Sequence, residues 1–305
     1  MRRVRYDSTG GPLFLEEAPV PAPGPGELLV RCKAVGVTLP VVRKVTEAAE
    51  PIPLGGEIAG RVVAVGEGVT RFGTGDRVTG LCFGHGYADF AVLHETMASP
   101  VPEGVGAVDA VALVRSGLVA FGALEAARPA PGETVLVTAA ASGVGHLAVQ
   151  LARARGAGRV IGAVSDPAKA DFVRSLGADD CVQYADDSWG EPVDCVLDGV
   201  GGDLLTPALA ALAPHGRLVA YSSGGGAIRA YDLLVGAKSV IGFQMALIAR
   251  GRPELYERWR QELWRLYGEG ILRPAVHGEF TLGDAARAHA VIESRANLGK
   301  VVLRP

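Results

Sequence analysis

Apolar and polar positions follow two rhythms in this chain. Up to about residue 110 the apolar residues fall in runs of strand length, Glu27 to Val35, Gly60 to Gly66, Asp76 to Gly80 and Ala88 to Leu93, separated by turn residues. Short strands at this spacing predict a small barrel or sandwich. From about residue 117 helical and strand patterns alternate. A helix at Leu118 to Ala127 precedes an apolar strand at Thr134 to Thr138, and an amphipathic helix follows at Val144 to Arg155. Then come a strand at Val160 to Val164, a helix at Ala168 to Leu176, and strands at Cys181-Val182 and Asp194 to Asp198. A helix at Leu204 to Leu212 and a strand at Arg217 to Tyr221 close the series. Strands buried on both faces and separated by helices predict the α/β class with a doubly wound parallel sheet. The tail reads as a helix at Pro253 to Gly268, a segment Phe280 to Asp284 leading into a helix at Ala285 to Glu293, and a last strand at Lys300 to Leu303.

The first strand of the alternating region runs into Ala139-Ala140-Ala141-Ser142-Gly143-Val144-Gly145, which opens a helix. Small residues let a backbone approach a diphosphate closely, and the helix start offers free N–H groups with partial positive charge. Gly145 allows close packing of helix on strand, and Ser142 stands where the glycine fingerprint has its middle glycine. A strand–turn–helix connection without a ligand has the same outline; the position after the first strand of a βαβ unit favours a dinucleotide. Ala140, Ser142, Gly143, Val144 and Gly145 are therefore the expected phosphate contacts. An NAD site places an acidic residue about 20 residues past the loop to bond the ribose 2′-hydroxyl. Here the second strand ends in Ser165, which can donate to a 2′-phosphate, and Lys169 can neutralise it. Asp166 opposes that reading by its charge. Gly199, Val200, Tyr221 and Ser222 follow two further strands, where the nicotinamide half belongs.

Composition narrows the classes. At 305 residues the chain is long enough for two domains, and a net charge of −3 lacks the basic excess of a nucleic-acid binder. No apolar run reaches the roughly 18 residues of a membrane helix, and the basic N-terminus has no apolar stretch behind it, so neither a membrane span nor a signal peptide is expected. Four scattered cysteines, Cys32, Cys82, Cys181 and Cys195, read as buried thiols of a reducing, cytoplasmic compartment.

Several segments together resemble the medium-chain dehydrogenases/reductases. They are Gly24-Pro25-Gly26-Glu27-Leu28-Leu29-Val30, the stretch Gly60 to Phe72, Gly75-Asp76-Arg77-Val78, Leu197 to Gly202, Leu212 to Val219, Glu293-Ser294-Arg295 and Gly299 to Leu303. The loop Ala139 to Gly145 resembles the AxxGxxG form of the quinone oxidoreductase (zeta-crystallin-like) branch. The resemblance covers nearly the whole chain. It implies a β-rich GroES-like catalytic domain from residues 1–115 and 268–305, with a Rossmann domain at 116–267 inserted in it and the active site in the cleft. It also implies cofactor contacts at Lys169, Tyr184 and Arg295, with Lys169 and Arg295 near the 2′-phosphate.

Zinc-dependent relatives carry a Cys, a His and a Cys where this chain has Thr38, Gly56 and Ser116, so no metal site is expected. Quinone reductases of the branch usually carry Asn-x-x-Asp where Thr38 and Val41 stand, and the segment Val42 to Pro53 is short, which predicts a less polar substrate pocket. The expected activity is transfer of hydride from NADPH to a quinone or other electron-poor conjugated carbonyl, with Thr38 either supporting the developing oxyanion or only packing. An enoyl-thioester reductase and a non-catalytic dinucleotide-binding protein are the alternatives. Ser239 to Met245, apolar and with few charges, is the expected late strand through which two sheets join in a homodimer or a multiple of one.

Overall fold

Alternation of helix and strand after residue 117 produces a six-stranded sheet. Its spatial order is Asp180–Gln183, Arg159–Val164, Thr134–Thr138, Val193–Asp198, Leu212–Ala220 and Ser239–Gly242, with every neighbouring pair parallel. Counted from Thr134–Thr138, the order is 3-2-1-4-5-6, the doubly wound Rossmann arrangement. Strand order reverses beside Thr134–Thr138, so a crevice opens beyond the carboxyl ends of that strand and of Val193–Asp198. Leu136, Ile161, Val196 and Leu218 are buried in the sheet core. The strands read as continuous apolar runs because helices cover both faces.

The computed structural model describes residues 1–222 and 224–305. They divide into two compact units, Met1–Arg115 with Pro274–Pro305, and Ser116–Arg273. The first unit is built on a seven-stranded sheet in which Glu27–Val37 is central, paired with Glu57–Val65, Phe90–His94 and Lys300–Arg304. The last strand of the chain thus runs antiparallel to an early one, with Leu303 opposite Val35 and Val302 opposite Gly36. Val276–Thr281 extends the sheet from there. A buried ion pair between Lys300 and Glu57 spans Gly36. A Cβ on Gly36 would lie 2.7 Å from the Glu57 carboxylate and 2.8 Å from Lys300 Cε, so any larger residue there would force the pair to shift. Nearby in the same unit, the Tyr87 hydroxyl is 3.1 Å from His289 Nε2, and burial lowers the His289 pKa to about 4.

Several elements depart from the sequence pattern. The helix expected to begin at Leu118 begins at Ala107 and runs to Ala127. Ser116-Gly117 reads as a break, since glycine weakens an isolated helix by about 1 kcal/mol, but burial along the segment outweighs that cost. No uninterrupted apolar run is involved, since Asp109, Arg115 and Glu125 fall within the helix, but taken whole it is long and apolar enough to be tested as a membrane span. Its length and apolarity meet that test, although 78% of its apolar window is buried inside the protein. The strand at Ser239 stops at Gly242, and Met245 begins a short helix to Gly251 instead of ending the strand. A hairpin of Arg2–Arg5 with Phe14–Glu17 and a helix at Leu39–Glu47 were not legible in the apolar pattern.

Candidate functional site

The small-residue loop folds as a tight cradle because hydrogen bonds hold Ala139, Ala140, Ser142 and Gly145. Ala139 takes a left-handed conformation, φ +49°, unusual for a residue with a side chain. Its carbonyl accepts the Ser142 N–H at 2.8 Å, and its own N–H donates to the Tyr184 hydroxyl at 2.8 Å. Ala140 N–H donates to the Ala163 carbonyl, which ties the loop to the second strand. Ser142 Oγ accepts the Gly145 N–H at 3.1 Å. A Cβ on Gly145 would lie 2.0 Å from the Ala139 carbonyl oxygen, so only glycine lets the helix Gly145–Ala154 start this close to the strand. Among the described residues the N–H groups of Gly143 and Val144 have no acceptor. Two unspent donors at a helix start suit a diphosphate oxygen.

Ser165 is exposed and Lys169 half-buried, directly after the strand Arg159–Val164. Asp166, the residue whose charge opposes a 2′-phosphate, caps the single turn Pro167–Lys169: its carboxylate accepts the Ala168 N–H at 2.9 Å. Tyr184 sits at the end of the next strand, its N–H on the Val164 carbonyl.

On the other side of the crevice, residues 199–201 form a turn organised by Asp198, a residue that the sequence reading left without a role. Asp198 is fully buried. One carboxylate oxygen accepts the Thr138 hydroxyl at 2.9 Å and the Val200 N–H at 3.1 Å; the other accepts the Gly201 N–H at 2.9 Å. Thr138 Oγ1 in turn accepts the Gly199 N–H at 2.9 Å. Thr138 and Asp198 end strands one and four of the sheet, so this hydrogen bond crosses the point where strand order reverses. Tyr221 follows the next strand, and its hydroxyl oxygen lies 2.7 Å from where a Gly199 Cβ would be. Burial, and then the Asp198 carboxylate, raise the pKa of Tyr221. Ser222 lies against Gly201: its hydroxyl is 2.8 Å from a Cβ built there. The one cue for Asp198 in the sequence was an acidic residue ending an apolar strand before Gly-Val-Gly-Gly.

In the first unit, Thr38 precedes the helix Leu39–Glu47 in extended conformation, and its hydroxyl makes no capping bond. Val41 is buried against Gly56. Arg295 is exposed, with a left-handed φ of +54°. Ser116 is buried within the helix Ala107–Ala127 of the chain. Among the described residues no group of three or more His, Cys, Asp or Glu side chains gathers. Burial pushes the Cys82 and Cys195 thiols up to about 12, so neither is a ready thiolate.

Residues 24–120 match the family described as alcohol dehydrogenase GroES-like domain, and residues 143–266 match the one described as zinc-binding dehydrogenase. A quinone oxidoreductase of Pseudomonas aeruginosa is 33% identical over 100% of this chain and 99% of its own. A 2-haloacrylate reductase of a Burkholderia species is 32% identical over 97% of this chain and 96% of its own. Among solved structures, a mycobacterial protein complexed with NADPH superposes with a TM-score of 0.93 at 32% identity, each chain being covered in full. With both domain families matched in order and identity sustained from end to end, the chain is an oxidoreductase that belongs to the medium-chain dehydrogenase/reductase family, in its quinone oxidoreductase branch.

Proposed function

We propose that this protein reduces quinones or other electron-poor conjugated carbonyl compounds with NADPH and without zinc. The observation that carries the reading is the loop Ala139 to Gly145, closed by glycine packing at the reversal point of the sheet, with no acidic side chain ending the second strand. The dinucleotide, when bound, supplies the hydride. The protein's part is to hold and orient. The N–H groups of Gly143 and Val144 receive the diphosphate, with Ala140, Ser142 and Gly145 shaping the approach. Ser165, Lys169, Tyr184 and Arg295 serve the adenosine 2′-phosphate end. Gly199, Val200, Tyr221 and Ser222, held by Asp198, line the nicotinamide end. The Thr38 hydroxyl, not spent on capping its helix, donates to the oxygen on which negative charge develops as the acceptor is reduced. Zinc independence is supported by the donors themselves, since Thr38, Gly56 and Ser116 offer none of the thiolate or imidazole ligands that hold catalytic zinc. The 2-haloacrylate reductase among the relatives supports a conjugated acceptor class broader than quinones.

The deciding experiment follows NADPH oxidation with a panel of quinones and enones after exhaustive chelation. Turnover of several unrelated acceptors is expected, and Thr38→Val should lower kcat about tenfold or more while NADPH affinity holds. Binding of NADPH with no turnover of any acceptor would point to a non-catalytic protein, and restoration of activity only by zinc would overturn the metal-free reading.

Cofactor choice has its own test. Lys169→Ala should weaken NADPH by about 1–2 kcal/mol, the scale of a charge-assisted contact, and leave NADH unchanged. Equal affinities for the two cofactors before and after the change would remove Lys169 from the 2′-phosphate site.

A homodimer is the proposed assembly. Ser239–Gly242 is the edge strand of the parallel sheet, and among the described residues no strand pairs with its outer side. The preceding short helix exposes Tyr231, Leu234 and Val235 at 69%, 76% and 68%, spaced to share one face. Ile241→Lys should give monomers or insoluble protein by light scattering; a monomeric parent protein at micromolar concentration would contradict the proposal.

A further inference from the structure

We propose that Tyr184 positions the diphosphate loop, so that affinity for NADPH and for NADH depends on its hydroxyl alike. This rests on the dinucleotide reading above but assigns Tyr184 a task other than touching the 2′-phosphate.

Tyr184 is anchored at three points. Its N–H donates to the Val164 carbonyl at 2.9 Å, its ring tilts onto Trp189 with centroids 6.3 Å apart, and its hydroxyl accepts the Ala139 N–H at 2.8 Å. Trp189 belongs to the apolar core beneath the sheet, so the ring is held from below while the hydroxyl reaches the loop. The bond bridges 45 residues of sequence and fixes the peptide that enters Ala139. That peptide is the one the loop depends on. Ala139 carries a left-handed φ that its methyl group disfavours, and a residue in such a conformation persists only where its surroundings over-determine it. Its carbonyl takes the Ser142 N–H on one side and sits beneath the Gly145 Cα on the other. If Ala139 leaves its left-handed conformation, the carbonyl of its next peptide turns away, Ser142 loses its acceptor, and Gly143 and Val144, which follow it, no longer present their N–H groups at the helix start. Tyr184 thus acts through Ala139 and is a positioning residue. The same chain of contacts joins the end of the second strand, where Ser165 begins the adenosine side, to the diphosphate cradle.

Tyr184→Phe keeps the ring and its packing and removes the hydroxyl that accepts the Ala139 N–H. Kd values for NADPH and NADH, measured by calorimetry on the full chain, should both rise by about tenfold, the effect of leaving one amide without its partner. The thermal midpoint of the cofactor-free protein should fall by no more than the few degrees that one orphaned amide costs, and kcat at saturating NADPH should be kept while KM for NADPH rises. Weakening of NADPH alone, with NADH unchanged, would return Tyr184 to a 2′-phosphate contact and overturn the proposal. Unchanged affinity for both would overturn it too, as would a parallel loss accompanied by a midpoint lowered by roughly 10 °C or more, which marks general damage to the sheet. A parent protein that binds neither dinucleotide would instead refute the cofactor reading itself, so the two failures are distinct.

Discussion

Asp198→Ala is expected to abolish measurable NADPH binding and to lower the thermal midpoint by roughly 10 °C. The carboxylate is buried and serves three donors: the Thr138 hydroxyl and the N–H groups of Val200 and Gly201. Its removal leaves them without an acceptor, at about 1–3 kcal/mol for each group that water does not reach. A combined cost near 4 kcal/mol, at roughly 2–4 °C per kcal/mol for a domain of this size, gives the expected shift. Binding suffers more than folding because the Gly199–Gly201 turn is the edge of the crevice, and Gly199 is held by the same Thr138 hydroxyl. Asp198→Asn should recover little. An amide has one acceptor oxygen, so its NH2 group must face a donor, the Gly201 N–H or the Thr138 and Val200 side. Differential scanning calorimetry with a cofactor titration reads both effects. A midpoint shift under about 3 °C with an unchanged Kd would show that the Asp198 network is dispensable.

Lys300→Met should destabilise the first unit by about 3–5 kcal/mol, whereas Glu57→Leu combined with Lys300→Met should be near neutral or stabilising. Both partners are buried, with side chains 7% and 3% exposed for Glu57 and Lys300 respectively. Breaking one side of such a pair strands a charge in low dielectric. Replacing both removes the desolvation cost together with the attraction. Gly36 provides a third probe, since Gly36→Ala puts a methyl within 2.7 Å of the carboxylate and should disturb the pair without touching either charge. Thermal unfolding of the two single variants and the double variant forms the cycle. Single variants that unfold within about 1 kcal/mol of the parent would mean that water reaches the pair and that it contributes little.

The Rossmann half was legible because its signals are local. An apolar strand, a run of Ala, Ser and Gly, and an amphipathic helix state their structure within some twenty residues, and the strand Thr134–Thr138 and the helix Pro253–Gly268 lie where the pattern puts them. Proline at the helix start and the spacing of Tyr256, Trp259 and Leu263 on one buried face carry the second of these without any distant partner. The helix Ala107–Ala127 shows the limit: apolar residues lie all round its first half, Asp109 and Arg115 aside, so periodicity is weak, and Ser116-Gly117 imitates a boundary. The hairpin of Arg2–Arg5 and Phe14–Glu17 was hidden because neither strand alternates cleanly, and only their register opposite one another makes them strands.

The site divides along the same line. By itself the sequence determined that a small-residue turn joins a buried strand to a helix, that no acidic residue ends the following strand, and that Thr38, Gly56 and Ser116 are poor zinc ligands, because residue type and spacing carry those facts. Only the tertiary structure decided which carboxylate organises the crevice, what the Tyr184 hydroxyl bonds, and which ion pair Gly36 leaves room for. Asp198 meets Thr138 across 60 residues, Tyr184 meets Ala139 across 45, and Lys300 meets Glu57 across 243. A hydrogen bond or ion pair between such positions leaves no periodicity behind. It exists because strand order brings remote ends side by side, and that order is set by packing of the whole sheet.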